Sequence, residues 1–140
     1  MIDDNPNFPR IICSAFIEKD GKFLVVNDPK FGAWRVPGGK PEGDERLEKA
    51  LEREMQEEVG VKIENPKFLG YGQDSMYLIP KKKTVSRLLM FFHVKVDQEL
   101  TIDPTEASEH KWVKFEEIKN VKNIEGGLVD FFNRNPNIQL

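Results

Sequence analysis

Cysteine is nearly absent from this chain of 140 residues. The single one, Cys13, has no partner for an intrachain disulfide, which excludes a fold held by crosslinks and suits a reducing compartment. It sits in an apolar run with Ile11, Ile12, Ala15 and Phe16, and so reads as a buried, inert thiol rather than a nucleophile. Long apolar runs are missing too. No stretch approaches the roughly 20 residues that a membrane-spanning helix needs. The segment Met1–Arg10 carries Asp3, Asp4, Pro6 and Pro9 where a secretion signal would have its apolar core. The expected location is the cytoplasm, with no membrane association. Charge of one sign is also scarce: the formal net charge is −3, too small to draw the chain to nucleic acid or an anionic surface. Histidine is limited to His93 and His110, which stand at no metal-ligand spacing.

What is present is an ordinary balance, 39% hydrophobic and 32% charged, enough for one domain over 1–140 with its own core. Residues 11–18 and 22–26 are β-prone, and Asp20-Gly21 between them predicts a hairpin. A loop over 27–32 leads to a short extended piece, Trp34–Val36, since a residue before proline is pushed away from helix. Residues 37–43 form a tight loop with three glycines and two prolines. From Glu45, apolar Leu47, Ala50, Leu51, Met55 and Val59 recur at helical steps, predicting a helix over 45–59 with Asp44 as N-cap and Gly60 beyond its end. Further strands are predicted at 61–63, 67–78, 86–96 and 111–115, with an exposed basic loop over 80–83 and an acidic connection over 97–110. One or two helices follow Glu116, one of them over 127–133. This order implies an α/β fold in which a mixed β-sheet packs between helices.

The predicted central helix concentrates carboxylates. Glu54, Glu57 and Glu58 stand at i, i+3 and i+4, which puts them on one patch of one face. Like charges so close repel each other unless a cation sits among them. Mg²⁺ prefers oxygen ligands and bridges to phosphate oxygens. The glycine-rich loop could bring a backbone carbonyl to the same ion. Taken alone, the three glutamates would read as a solvated acidic face.

The wider pattern decides between these readings. Gly39, five residues, Glu45, seven residues, then Arg53-Glu54-Met55-Gln56-Glu57-Glu58-Val59-Gly60-Val61 resembles the signature of the Nudix hydrolases, with every defined position filled. The preceding Trp34–Gly39 resembles the family's entry into this box. The resemblance implies an α/β/α sandwich, a loop–helix–loop at the box, and hydrolysis of a nucleoside diphosphate linked to another moiety. It implies Mg²⁺, with Mn²⁺ as a substitute, held by Glu54, Glu57 and Glu58 with the Gly39 carbonyl, Glu57 and Glu58 being the central catalytic pair. Glu45 and Arg53 would hold the motif together as a charge pair. Glu109, in the acidic connection where some relatives carry a loop carboxylate, is the candidate general base, with Glu106 as its alternative.

Substrate contacts are less constrained. Arg35 and Arg87 are candidates because a guanidinium matches phosphate oxygens bidentately. Phe31, Trp34, Tyr71, Tyr77 and Phe91 offer faces for a base, with Trp34 and Tyr77 ranked first, and one or two at most are expected to stack on a ligand. Lys81, Lys82 and Lys83 either reach phosphate or form a solvated hairpin tip. Tyr77 lies sixteen residues after Val61, which resembles the dinucleoside-polyphosphate group; the ADP-ribose group has a proline there, whereas Pro80 lies nineteen residues on. The short chain resembles compact relatives that cleave nucleoside triphosphates to monophosphate and pyrophosphate. A nucleoside triphosphate therefore ranks first, with dinucleoside polyphosphates and ADP-ribose as alternatives. A silent nucleotide-sensing module is the non-enzyme alternative, and the intact glutamates argue against it. The expected partner is a small nucleotide and not nucleic acid; a homodimer is left open.

Overall fold

In the computed structural model, which describes residues 9–140, Asp20 and Gly21 close the predicted hairpin. Both are left-handed, with φ of 52° and 79°, as a two-residue turn requires if its twist is to match the strands. The turn joins β1 (Arg10–Lys19) to β2 (Lys22–Asp28) in antiparallel register, Lys19 opposite Lys22. Most of the segment read above as lacking an export signal lies outside the described residues.

β1 is the middle of the sheet. β3 (Ala33–Arg35) pairs with β2, and β4 (Gly38–Gly39) pairs back onto Cys13 and Ser14 of β1. α1 (Leu47–Val59) follows, then β5 (Lys67–Leu78) and β6 (Lys83–Lys95). β6 runs parallel to β1 from Arg10 opposite Arg87 to Glu18 opposite Lys95, and antiparallel to β5. β7 (Glu109–Val113) adds to β2. The main path is β3-β2-β1-β6-β5, a mixed sheet. A 3₁₀ turn (Phe115–Asn120) and α2 (Gly126–Arg134) complete the described chain.

Strand alternation builds two cores. Cys13, Ala15 and Ile17 of β1, Leu24 and Val26 of β2, and Phe92 and Val94 of β6 face α1, which presents Ala50, Leu51, Met55 and Val59. Phe16, Phe23, Val25, Leu89 and Phe91 point to the other side and pack on Ile118, Leu128 and Phe131. Side chains such as Leu51 and Met55, with no exposed surface, contribute about 1.5–3 kcal/mol each by leaving water. They fix α1 against the sheet, and α1 carries the carboxylates.

Several boundaries differ from the sequence reading. α1 begins at Leu47; Arg46 occupies the N-cap with no side-chain bond, so Asp44 does not cap it. Glu45 instead accepts from the Glu42 N–H at 3.0 Å, tying the preceding loop into a turn. Gly60 (φ 70°) ends α1 as predicted, its N–H on the Met55 carbonyl. Val61 and Ile63 form no strand: the Val61 N–H also goes to Met55, and both side chains plug the α1 core. The basic loop is a 3₁₀ turn, Ile79–Lys81, and because Leu78 pairs with Lys83, β6 starts earlier than expected. β7 likewise comes earlier than the predicted 111–115, because Glu109 already pairs with Asn27.

Candidate active site

The glycine-rich loop is held on α1 by one guanidinium. Arg53 donates through Nε and Nη2 to both oxygens of Glu45, each at 3.0 Å, and through Nη2 to the Lys40 carbonyl at 3.0 Å. The expected Glu45–Arg53 pair is therefore formed, and it also anchors the backbone that follows Gly39. Arg53 reaches Glu57 as well, at 3.2 Å, and that carboxylate is 58% exposed.

Glu58 points the other way, into the protein. Its Oε2 accepts from the Gly38 N–H at 3.2 Å. Its Oε1 lies 3.0 Å from Arg35 Nη1, an ion-pair distance, yet has no aligned N–H and so no hydrogen-bond partner. Burial raises the Glu58 carboxyl above its ordinary range, with Arg35 pulling it down. Glu54 sits under Gly39 so closely that a Cβ on that glycine would overlap its carboxylate. Burial first, and then the carboxylates of Glu58, Glu57 and Glu106, push Glu54 up to about 7 against the pull of Arg53. Glu106 arrives from a turn pinned to the end of α1: the Asp103 N–H bonds to the Glu58 carbonyl and the Thr101 N–H to that of Val59.

Part of this constellation borders a cavity of about 320 Å³; Glu57 and Glu58 are not among its lining residues. Glu54, Glu106, Gly38 and Gly39 line it, together with Arg35, which donates to Asp28 at 2.8 Å. Phe31, Leu78, Ile12 and Val36 supply apolar wall. A second buried ion cluster lies beside them: Arg87 donates to both oxygens of Asp74 (2.8 and 2.6 Å) and to Glu125 at 2.8 Å, while Glu125 also takes the Val36 N–H. Arg87 and Glu125 line the cavity as well. Six cationic and four carboxylate side chains face it, on a chain whose net charge is −3.

Arg35 and Arg87 are thus at the cavity, but as buried members of ion clusters and not as free phosphate clamps. Trp34 and Tyr77 are not among its lining residues. Trp34 packs in the α2-side core with Lys111 Nζ 4.6 Å from its ring centre, and Tyr77 is 52% exposed on β5. Glu109 is exposed on β7 opposite Asn27, away from the lining; the loop acid at the cavity is Glu106. The sequence reading missed Asp28, Lys30, Asp74 and Glu125. Asp28 had a signal, an Asp-Pro turn whose carboxylate accepts from the N–H two residues on. Buried Glu125 had none. Cys13 is fully buried and its thiol is pushed up to about 12, mainly by burial.

Among the described residues, no three metal-binding side chains stand close enough together to hold an ion as they are. The donor chemistry nonetheless fits a hard divalent cation. Glu58 Oε1 is a buried anionic oxygen lacking a hydrogen bond, Glu54 is crowded by other carboxylates, and all the side-chain donors are oxygens.

Residues 7–133 match the family described as the NUDIX domain. The chain is 30% identical over 125 residues to phosphatase NudJ of Escherichia coli strain K12, covering 86% of this chain and 78% of that protein. It is similar in structure to the MutT protein of Methanosarcina mazei Go1, at 25% identity and TM-score 0.77, over 96% of this chain and 100% of the other. A MutT NUDIX hydrolase from Burkholderia pseudomallei shares the fold at 24% identity and TM-score 0.64, over 78% and 85% of the two chains.

Proposed function

The chain belongs to the Nudix hydrolases, enzymes acting on phosphoric anhydride bonds, and we propose that it uses Mg²⁺ to cleave the diphosphate linkage of a nucleoside triphosphate, releasing the monophosphate. The observation that carries this reading is the cavity itself. On an acidic chain six cationic side chains line it against four carboxylates, a balance that suits a polyphosphate, and Glu54 of α1 stands in its wall. A volume of about 320 Å³ suits one small-molecule moiety and gives no support to enclosing a second nucleoside.

Glu54, Glu57 and Glu58, with the Gly39 carbonyl, would hold the metal. Bound there, Mg²⁺ offsets phosphate charge and makes a coordinated water more acidic. The chain's own residues do the rest. Arg35 fixes the Glu58 carboxylate from behind, and Arg53 fixes the glycine loop against α1. Glu106 takes the place of Glu109 as the proposed general base, because it lines the cavity and lies near Glu54. Arg87 keeps Nη1 without an acceptor among the described residues, and that nitrogen is available to a substrate oxygen or ring nitrogen. Of the five aromatic candidates, Phe31 lines the cavity and is the proposed wall for a base.

The test is a panel of nucleoside triphosphates, dinucleoside polyphosphates, ADP-ribose and nucleotide sugars with millimolar Mg²⁺, read by chromatography, with Glu58→Gln as the control. Monophosphate and pyrophosphate from a triphosphate support the reading. A second reading has support of its own, since the E. coli relative is named a phosphatase: release of orthophosphate in place of pyrophosphate would favour it. A folded protein that binds Mg²⁺ and cleaves nothing would move a nucleotide-sensing module to first place.

A further inference from the structure

Lys30 has so far counted only as one cation of the cavity lining, yet it also makes the shorter of the two ion pairs to the loop acid Glu106. Its Nζ donates to Glu106 Oε2 at 3.0 Å. The backbone on both sides of this pair is fixed. The Lys30 N–H is held by Asp28 Oδ1 at 2.9 Å, and its carbonyl accepts from the Ile79 N–H at 2.8 Å. Glu106 is carried by a turn in which its own N–H and that of Ala107 both bond to the Asp103 carbonyl. The side chains are only part-buried, 41% exposed for Lys30 and 36% for Glu106, and without each other both would be free to swing. For Glu106 the 3.0 Å contact with Lys30 is the shorter of two to a cation. Its other cation, Arg35, is 4.0 Å off and already committed to Asp28 and Glu58.

We propose that Lys30 is a positioning residue: by pairing with Glu106 it holds that carboxylate at the cavity in the orientation hydrolysis requires. This rests on the reading of Glu106 as the base. A bare phosphate-binding role for Lys30 is the competing possibility, and kinetics separate the two. Losing a phosphate contact raises KM, whereas losing the orientation of a catalytic group lowers kcat.

The experiment compares wild type, Lys30→Met, Lys30→Arg, Glu106→Gln and the Lys30→Met/Glu106→Gln double variant, using the nucleoside triphosphate cleaved best in the panel, with Mg²⁺. Misplacing a reacting group by about 1 Å can cost up to ~10²-fold. Lys30→Met is therefore expected to lower kcat about tenfold with KM within about twofold, and Lys30→Arg to restore most of it. Added to Glu106→Gln, Lys30→Met should cost less than about twofold more. A rise in KM at unchanged kcat, or the same loss in both backgrounds, overturns the proposal. If wild type cleaves nothing, it is the hydrolase reading that fails. The pair is then read from the melting temperatures of the same four-member cycle, where non-additive shifts support the contact and additive ones overturn it.

Discussion

Two adjacent glycines, Gly38 and Gly39, should respond to the same substitution in opposite ways. At Gly38, a Cβ would overlap the Cys13 carbonyl oxygen and lie 2.9 Å from Ser14 Cα. Both belong to β1, the central strand, which cannot recede. Gly38→Ala must therefore peel β4 away, weakening the bond from the Gly38 N–H to Glu58. Overpacking of this kind costs about 1–3 kcal/mol, and a lost hydrogen bond to a charged group about 1.5–3 kcal/mol. The expected loss is about 3–5 kcal/mol, or roughly 10–15 °C in melting temperature for a chain of this size. At Gly39 the obstacle is only the Glu54 carboxylate, the far end of a flexible side chain. Gly39→Ala should cost no more than about 1 kcal/mol, since the carboxylate can rotate aside at roughly the cost of a strained rotamer. Rotating aside, however, removes Glu54 from the place where the metal is proposed to bind, and kcat should fall at least ~10-fold. Thermal unfolding and Mg²⁺-dependent hydrolysis at 25 °C, measured on both variants, check this. Full activity in Gly39→Ala, or wild-type stability in Gly38→Ala, would refute the reasoning.

Glu58→Gln should lower kcat at least ~10²-fold, the scale of losing a positioned charged group, while a thermal melt still shows one cooperative transition; near-normal turnover would remove Glu58 from the mechanism. Arg35→Met leaves Asp28 and Glu58 as buried anions without their cation, an effect of about 3–5 kcal/mol that denaturant unfolding would detect; a variant as stable as wild type would mean the cluster is not buried as described. Cys13, raised from 9.0 to about 12, stays protonated in the folded chain. Below pH 9 it therefore adds nothing to pH dependence, and the contribution of this thiol is lost only as pH rises from about 9 toward 12. Ellman's reagent at pH 8 should find no reactive thiol until guanidinium unfolds the protein, and rapid labelling of the native chain would contradict the burial.

The hairpin at Asp20-Gly21 and the end of α1 at Gly60 were readable because each depends on local chemistry: a turn that demands positive φ, and a helix stop. The Glu45–Arg53 pair was readable through the resemblance alone. The rest depended on contacts between distant segments. Spacing put Glu54, Glu57 and Glu58 on one patch, but only the packing of α1 decided that Glu58 turns inward to Arg35 while Glu57 stays on Arg53 in solvent. Glu106 and Glu109 are three residues apart in one acidic segment. Backbone bonds from Thr101 and Asp103 to the last turn of α1 bring the first to the cavity, and pairing with β2 carries the second away. Trp34 and Tyr77 were named for their rings, and strand orientation turned both from the cavity. Asp44 lost the cap of α1 because Arg53 drew Glu45, and the loop with it, onto the helix.

The two ion clusters beside the cavity bear on how this enzyme can change over generations. Arg35 with Asp28 and Glu58, and Arg87 with Asp74 and Glu125, are triads in which the central arginine cannot be replaced alone without stranding buried charge. Such a step removes about 3–5 kcal/mol from a fold that has only about 5–15 kcal/mol in total. A lineage adapting to a new substrate has little access to these positions through single substitutions. Lys40 and Lys81 also face the cavity, but each is only partly buried or exposed, so that a substitution there does not strand a fully buried charge. Divergence in substrate preference among near relatives should therefore accumulate at the rim first, with the paired charges beneath it changing late and together.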